Sequence, residues 1–344
     1  MVISNICLRQ FRNYESKEFK LGDGTTIISG LNGTGKTNLL EAIHILLTGR
    51  SFRDSDDDLV QYNKTWWTVS GVIDGIEREV RFNGSSKSYR INEAWYKRLP
   101  KHFTLPVVLF EPDDLMLIHG SPKSRRHYLD ERIVQTSPTY KKVLGKYDRV
   151  ITQRNRLLKN MKYDEDQLFI WDMQLVELAN NIVRERKMVI DGWNNALPSI
   201  YSHIAQKETI IKSVYHSKTP QRNYQQLLIR QLHESRERDK ITGTTSIGPH
   251  RDDYEFYRDG RSFTTTASRG EIRSLMLCLK RYEVDELFVH YSRLPIILLD
   301  DVFSEIDEKR QHALFDLFDK NSIFITSTDY PHFITKKSKV IIIE

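Results

Sequence analysis

Cysteine is nearly missing from this chain: Cys7 and Cys278 are the only two in 344 residues, far apart and each inside an apolar pattern. Two scattered thiols make no disulfide framework, which points to a reducing compartment. No apolar run approaches the ~20 residues that span a bilayer. The opening Met1-Val2-Ile3-Ser4-Asn5 lacks the basic head and apolar core of a signal peptide. Gly/Ser tracts, proline tracts and fixed-period repeats are also missing, which excludes a linker-rich or solenoid chain. The expectation is a soluble cytoplasmic protein with no membrane contact, and about two domains at one per ~150 residues.

What is present is unevenly charged. Between Lys123 and Lys162 twelve Lys/Arg stand against Asp130, Glu131 and Asp148, so this stretch carries about +9 of a net +6 and the rest about −3. Charge concentrated on one element suits a polyanion; a solvated helix face accounts for it equally well.

The hydrophobic pattern predicts strands at 2–8 and 25–29, a helix over 38–47, and a small antiparallel sheet between Trp66 and Asn92. Leu105 to Phe110 reads as a buried strand. Tyr140, Leu144, Tyr147, Ile151, Leu158 and Met161 recur at near-heptad spacing, interrupted only by Arg154. After the turn Lys162-Tyr163-Asp164-Glu165-Asp166 a second stripe follows: Leu168, Trp171, Leu175, Leu178, Ile182, Val189. Two such helices make an antiparallel hairpin, either a projecting arm or a packed helical subdomain. Strands at 209–215, 253–263 (turning at Asp259-Gly260), 294–299, 322–326 and 340–343 then alternate with helices at 269–289 and 307–318. The fold class expected is α/β: a discontinuous ATPase domain, 1–122 with 245–344, a small antiparallel subdomain, and an inserted mainly helical domain, 123–244.

Gly30-Leu31-Asn32-Gly33-Thr34-Gly35-Lys36-Thr37 follows a strand and opens a helix, the context of a phosphate loop. Glycines let successive N–H groups curl around phosphates, and the helix N-terminus adds a favourable dipole. Lys36 is assigned to the β- and γ-phosphates of ATP, and the Thr37 hydroxyl to Mg²⁺. Pro295 to Leu299 ends abruptly in Asp300-Asp301. Carboxylates at the end of a buried strand need a partner, and Mg²⁺ provides one. Asp300 is therefore read as a metal ligand and Asp301 as the group polarising the attacking water. Ser268-Arg269-Gly270-Glu271 precedes a helix. It reads either as a capping box or as a turn whose free N–H groups accept a phosphate. Its place, after a phosphate loop and before an acid-ended strand, resembles the ABC signature. That resemblance implies ATP held between two chains, with Asp307 of Ser304-Glu305-Ile306-Asp307 near the seam of a homodimer.

Further motifs narrow the resemblance. Leu8-Arg9-Gln10-Phe11-Arg12-Asn13-Tyr14, the loop running into Asn38-Leu39-Leu40-Glu41-Ala42-Ile43, Phe110-Glu111-Pro112-Asp113-Asp114-Leu115, Gly120-Ser121-Pro122-Lys123-Ser124-Arg125-Arg126 with Leu129-Asp130, Gly248-Pro249-His250-Arg251-Asp252-Asp253, and Leu298 to Asp307 together resemble the RecF family over essentially the whole chain. The resemblance implies a Rad50-like ATPase head, ATP-dependent dimerisation and slow hydrolysis. It also implies binding to single-stranded, gapped or junction DNA, RecR-like and RecO-like partners, recombinase loading, and a link to the SOS response. Departures from the wider ABC pattern fit a slow switch. Asp301 stands where many such ATPases have glutamate, Glu271 replaces the usual glutamine, and Thr326-Ser327-Thr328-Asp329 carries no histidine. Arg12 is either a phosphate contact or a surface arginine. Arg125, Arg126, Lys141, Lys142 and Lys146 are candidate contacts to DNA phosphates. His250-Arg251-Asp252 reads as a structural or nucleotide-proximal loop. Competing classes are a transporter-type ABC subunit, an SMC-like structural protein, an ATP-gated nuclease and a plain P-loop kinase.

Overall fold

Alternating apolar residues and short turns build most of the first half as sheet, and the computed structural model describes residues 1–160, 164–302, 306–328 and 338–343. Met161, Lys162, Tyr163, Phe303, Ser304, Glu305 and Asp329, which carried parts of the expectations above, lie outside the described residues. Two compact units emerge, Met1–Pro112 with Lys280–Glu344, and Asp113–Leu279. This division by packing counts residues 113–122 and 245–279 with the inserted unit, whereas the division by motif counts them with the head.

In the first unit, β1 (Ile3–Phe11), β2 (Tyr14–Lys20), β4 (Trp67–Ile73), β5 (Ile76–Phe82), β6 (Lys87–Ile91) and β7 (Ala94–Tyr96) form one antiparallel sheet in the order β2-β1-β4-β5-β6-β7. The sheet is larger than the 66–92 segment alone predicts, because β1 pairs with both β2 and β4. A five-stranded parallel sheet runs β14-β3-β13-β12-β8, with β3 Thr25–Ser29, β8 Val107–Phe110, β12 Ile296–Leu299, β13 Ile323–Ser327 and β14 Lys339–Ile342. The helix Lys36–Thr48 is apolar almost all round; Leu39, Leu40, Ala42, Ile43, Ile45, Leu46 and Leu47 are all buried. A helix with no polar face belongs between two layers. It shares one core with Ile6, Leu8, Trp67 and Val69 of the antiparallel sheet and with Ile28, Leu298 and Phe324 of the parallel one. Trp67 anchors that core, stacked on Phe82 at 6.1 Å and edge-on to Phe11 at 5.7 Å.

The second unit packs the helices Pro122–Thr136, Pro138–Leu158, Glu165–Ala205 and Tyr224–Glu234 with β9 (Ile211–His216), β10 (Asp253–Arg258) and β11 (Arg261–Ser262). The long helix contacts β9 and Tyr224–Glu234 as well as its hairpin partner, so it is part of a packed subdomain. The heptad reading is corrected accordingly. Leu144, Ile151, Trp171, Leu178 and Val189 are only half-buried. Val150, Val176, Ala179, Val183 and Ile190 are buried instead. A broad apolar face is what a helix meeting several neighbours requires; a narrow seam serves one partner.

Arg154 also reads differently in three dimensions. The residue that interrupts the stripe is fully buried inside it. Its Nε donates to Asp172 at 2.6 Å, and one terminal nitrogen donates to Asp239 at 3.0 Å and Thr245 at 2.9 Å. A guanidinium leaves water only when its donors find such partners.

Candidate nucleotide site

Parallel pairing brings the carboxyl ends of β3, β13 and β12 to one edge of their sheet, where ligands of open α/β sheets bind. The phosphate loop leaves β3 there. Gly33 (φ 84°) and Gly35 (φ 108°) adopt left-handed backbone that side chains resist. Gly30 is needed for a different reason: a Cβ there would sit 2.3 Å from the Ile343 carbonyl oxygen. Lys36 is buried, and its ammonium donates to the carbonyls of Gly30 and Leu31, both at 2.9 Å. Asn13 steadies the loop from outside, donating to the Thr34 carbonyl at 2.9 Å and accepting from Asn38 at 2.9 Å. Leu31 is largely exposed, while Asn32 and Thr34 lie on the open side of the loop.

Thr37 and Asp300 meet although 263 positions separate them; the threonine hydroxyl donates to Asp300 Oδ1 at 2.8 Å. Burial raises the Asp300 carboxyl above its usual range, opposed by the hydrogen bonds from Thr37 and Thr326 and by the charge of Arg53. A hydroxyl and a carboxylate converging beside a phosphate loop are hard oxygen donors, the set Mg²⁺ prefers, so these residues fit that ion. Asp301 follows with φ 54°, a left-handed conformation that aspartate tolerates better than branched residues do. Its N–H donates to the Thr326 hydroxyl at 2.8 Å, and that hydroxyl donates to Asp300 Oδ1 at 2.9 Å. Thr326, at the end of β13, thus ties both aspartates together. Sequence reading noticed the position only for the histidine it lacks.

Arg12 is tied into the fold. Glu41, fully buried in the nucleotide-loop helix, is the reason. Arg12 grips both of its oxygens at 3.0 Å, then pairs with Asp54 at 2.5 Å and with the Asp58 carbonyl at 3.1 Å. Arg53 adds a third bond to Glu41 at 2.9 Å and one to Asn38 at 3.2 Å. A buried carboxylate must be paired, and Arg12 and Arg53 pair it. Arg53 also places positive charge near Asp300, which opposes the rise of that carboxyl's pKa. Its separation from the motifs left no sequence signal.

In the second unit Ser268 forms the capping box. Its hydroxyl accepts from the Glu271 N–H at 3.3 Å while the Glu271 carboxylate accepts from the Ser268 N–H at 2.8 Å. Gly270 lies in the first turn of helix Arg269–Tyr291, and Arg258 pairs with Glu271. Back in the first unit, Asp307 caps helix Glu308–Leu317 by accepting from the Arg310 N–H at 3.1 Å.

The basic stretch splits in two. Arg125 is buried and holds Asp253 through Nε at 2.8 Å and a terminal nitrogen at 2.5 Å. Arg126 is half-buried and donates to the Asp252 carbonyl at 2.6 Å. Lys141, Lys142 and Lys146 are exposed on helix Pro138–Leu158.

The Gly248–Asp253 loop is therefore a structural element, gripped by Arg125 and Arg126, by Arg186 on the Pro249 carbonyl at 2.6 Å, and by Tyr147, whose hydroxyl lies 2.7 Å from His250 Nδ1. Burial lowers the His250 pKa from 6.5 to about 4. The unfolded chain takes up this proton below about pH 6.5 and the native state only near 4, so stability falls as pH drops through that window. Urea midpoints of the wild type and His250→Gln should diverge there, the wild type losing up to about 3 kcal/mol more. Parallel curves would remove His250 from this role.

A family model described as "RecF/RecN/SMC N terminal domain" matches residues 2–343. The "DNA replication and repair protein RecF" of Bacillus cytotoxicus is 32% identical, covering 99% of this chain and 96% of that protein; its counterpart in Bacillus cereus strain AH820 gives the same figures. Among solved structures, "the recombination mediator protein RecF-ATPrS in RecFOR pathway" superposes with a TM-score of 0.85 at 28% identity, covering 99% of this chain and 97% of that one. An Smc head bound to the C-winged helix domain of ScpA shares the fold, at TM-score 0.53 and 16% identity over 96% of this chain and 90% of that one. Fold and phosphate loop thus define an ABC-type ATPase head of the SMC kind, with an antiparallel β subdomain and an inserted helical domain. Within that class, the chain belongs to the RecF family.

Proposed function

We propose that this protein is an ATP-gated DNA clamp of recombinational repair and replication restart. The observation that carries the reading is the 2.8 Å contact between Thr37 and Asp300 beside a glycine-shaped phosphate loop. The N–H groups of 30–37 bind the phosphates of ATP, and Lys36 exchanges its two carbonyl partners for β- and γ-oxygens. Thr37 and Asp300 would hold Mg²⁺, which would supply neutralisation of phosphate charge. Asp301 orients the attacking water; its short reach and fixed backbone suit slow turnover, as in a switch.

Ser268 and Gly270 complete the γ-phosphate site of a second copy, with Asp307 near the seam. Because these residues work with the head, the functional division is 1–122 with 245–344 against the inserted 123–244. Lys141, Lys142 and Lys146 contact DNA phosphates. Single-stranded, gapped or junction DNA as target, RecR-like and RecO-like partners, recombinase loading, the link to the SOS response and action in the cytoplasm are part of this proposal, and membership of the RecF family supports them. Among the described residues no helix is long and apolar enough to cross a membrane.

Fluorescence anisotropy on gapped duplex DNA at fixed salt, with ATP, ADP or neither, tests the reading. Binding should tighten at least tenfold with ATP alone, about 1.4 kcal/mol. Ser268→Arg should bind ATP yet stay monomeric by light scattering and lose that gain. DNA binding indifferent to nucleotide, or a Ser268→Arg protein that dimerises normally, would sink the clamp.

A further inference from the structure

The solvent side of the antiparallel sheet carries a cleft of about 610 Å³ that the nucleotide chemistry does not use. Register explains its lining. Arg9 of β1, Thr68 of β4 and Arg81 of β5 are successive cross-strand neighbours; so are Ser70, Glu79 and Arg90 across β4 to β6, with Trp95 of β7 beside Arg90 at the edge of the cleft. Trp66 stands just before β4, its neighbour Trp67 being turned into the core.

Glu79 organises this face. Nearly buried, it takes Arg81 on one oxygen at 2.8 Å and Arg90 on the other at 3.1 Å. Both guanidiniums are thereby held near the indole of Trp95, at 5.1 and 6.0 Å from its centroid. Trp95 is 50% exposed and Trp66 36%. Three arginines against one glutamate leave the cleft about +2. A sheet face that merely needs solvation has no use for two exposed indoles and guanidiniums fixed beside one of them.

We infer that this cleft binds a short stretch of unpaired nucleic acid, bases stacking on Trp66, Trp95 and the guanidinium planes while Arg9, Arg81 and Arg90 meet phosphates. Aromatic platforms in a positive groove are how single strands are held without sequence preference. Duplex DNA keeps its base faces stacked inward and cannot use the indoles, so the cleft distinguishes single from double strand. The small side chains of Thr68 and Ser70 leave room on the floor. This inference rests on the DNA-clamp reading and adds to it a site for the unpaired part of a gap, separate from the lysines of helix Pro138–Leu158.

The test uses the full chain with saturating ATP and two labelled probes, an oligothymidine of about a dozen nucleotides and a blunt duplex of equal length. Trp66→Ala/Trp95→Ala should bind the oligothymidine at least about tenfold more weakly and the duplex unchanged, with Trp95→Phe recovering much of the loss. Arg81→Gln/Arg90→Gln should lower the slope of log affinity against log salt for the single strand by about 1.4, at ~0.7 per phosphate. Lys141→Ala/Lys142→Ala/Lys146→Ala should do the converse, weakening the duplex alone. Wild-type binding of oligothymidine by the double-tryptophan variant, or wild-type protein that binds duplex but no single strand, overturns the cleft and leaves the clamp standing. Binding of neither probe overturns both.

Discussion

Lys36→Ala is expected to bind ATP at least about a hundredfold more weakly than the wild type, with little change in stability. The ammonium is buried in the phosphate loop with two carbonyl partners at 2.9 Å. Its transfer to phosphate oxygens exchanges neutral acceptors for charged ones, and charge-assisted bonds contribute roughly 1.5–3 kcal/mol each. Losing two of them amounts to about 3 kcal/mol or more, two decades in affinity. The Leu31 carbonyl keeps the Thr34 hydroxyl at 2.9 Å, and the loop lies where water reaches it, since Leu31 is 78% exposed. The folded state should therefore lose under about 1 kcal/mol. Isothermal titration with MgATP and a thermal melt on the same sample separate the two effects. An affinity within threefold of wild type would remove Lys36 from phosphate binding.

Arg154→Leu should be strongly destabilising, although from the sequence alone it looks like a repair of the apolar stripe. In the folded unit it strips a buried cation from Asp172 and Asp239, themselves almost completely buried. Removing one partner of such a cluster typically costs about 3–5 kcal/mol, because the remaining charges stay out of water. Among the described residues, Asp172 then keeps Arg236, at 3.8 Å, as its one cationic neighbour. The sharper test is Arg154→Leu combined with Asp172→Asn and Asp239→Asn. If orphaned charge is the cause, the triple variant should recover more than half of the loss in urea midpoint. If the cost is lost packing, the triple variant will be no better than the single one.

Both expectations show how far the linear chain could be read. The phosphate loop, the acid-ended strand and the alternation of strands and helices are local patterns, and β3 falls on the predicted 25–29 while β12 and β13 differ by a residue or two at their ends. The expectation of a mainly helical 123–244 does not separate the helices Pro122–Thr136, Tyr224–Glu234 and Arg236–Thr242. Pro122–Thr136 carries basic residues where an apolar stripe would be sought, and Arg125 and Arg132 are themselves buried. A buried arginine looks, in sequence, like any surface arginine.

By itself, then, the sequence determined the chemistry available here: a glycine loop shaped for phosphates, hard oxygen donors for a divalent ion, and a serine turn opening a helix. Each depends on backbone conformation or spacing within a few residues, which neighbours in the chain dictate. Only the tertiary structure decided which charges remain for function. It brought Asp300 to Thr37, gave Arg12 to Glu41 and Arg125 to Asp253, and paired β1 with β4 to build the face on which Arg9, Arg81 and Arg90 gather. The reason is that a charge's fate depends on whether the chain buries it and what it then meets, and those partners come from tens to hundreds of residues away.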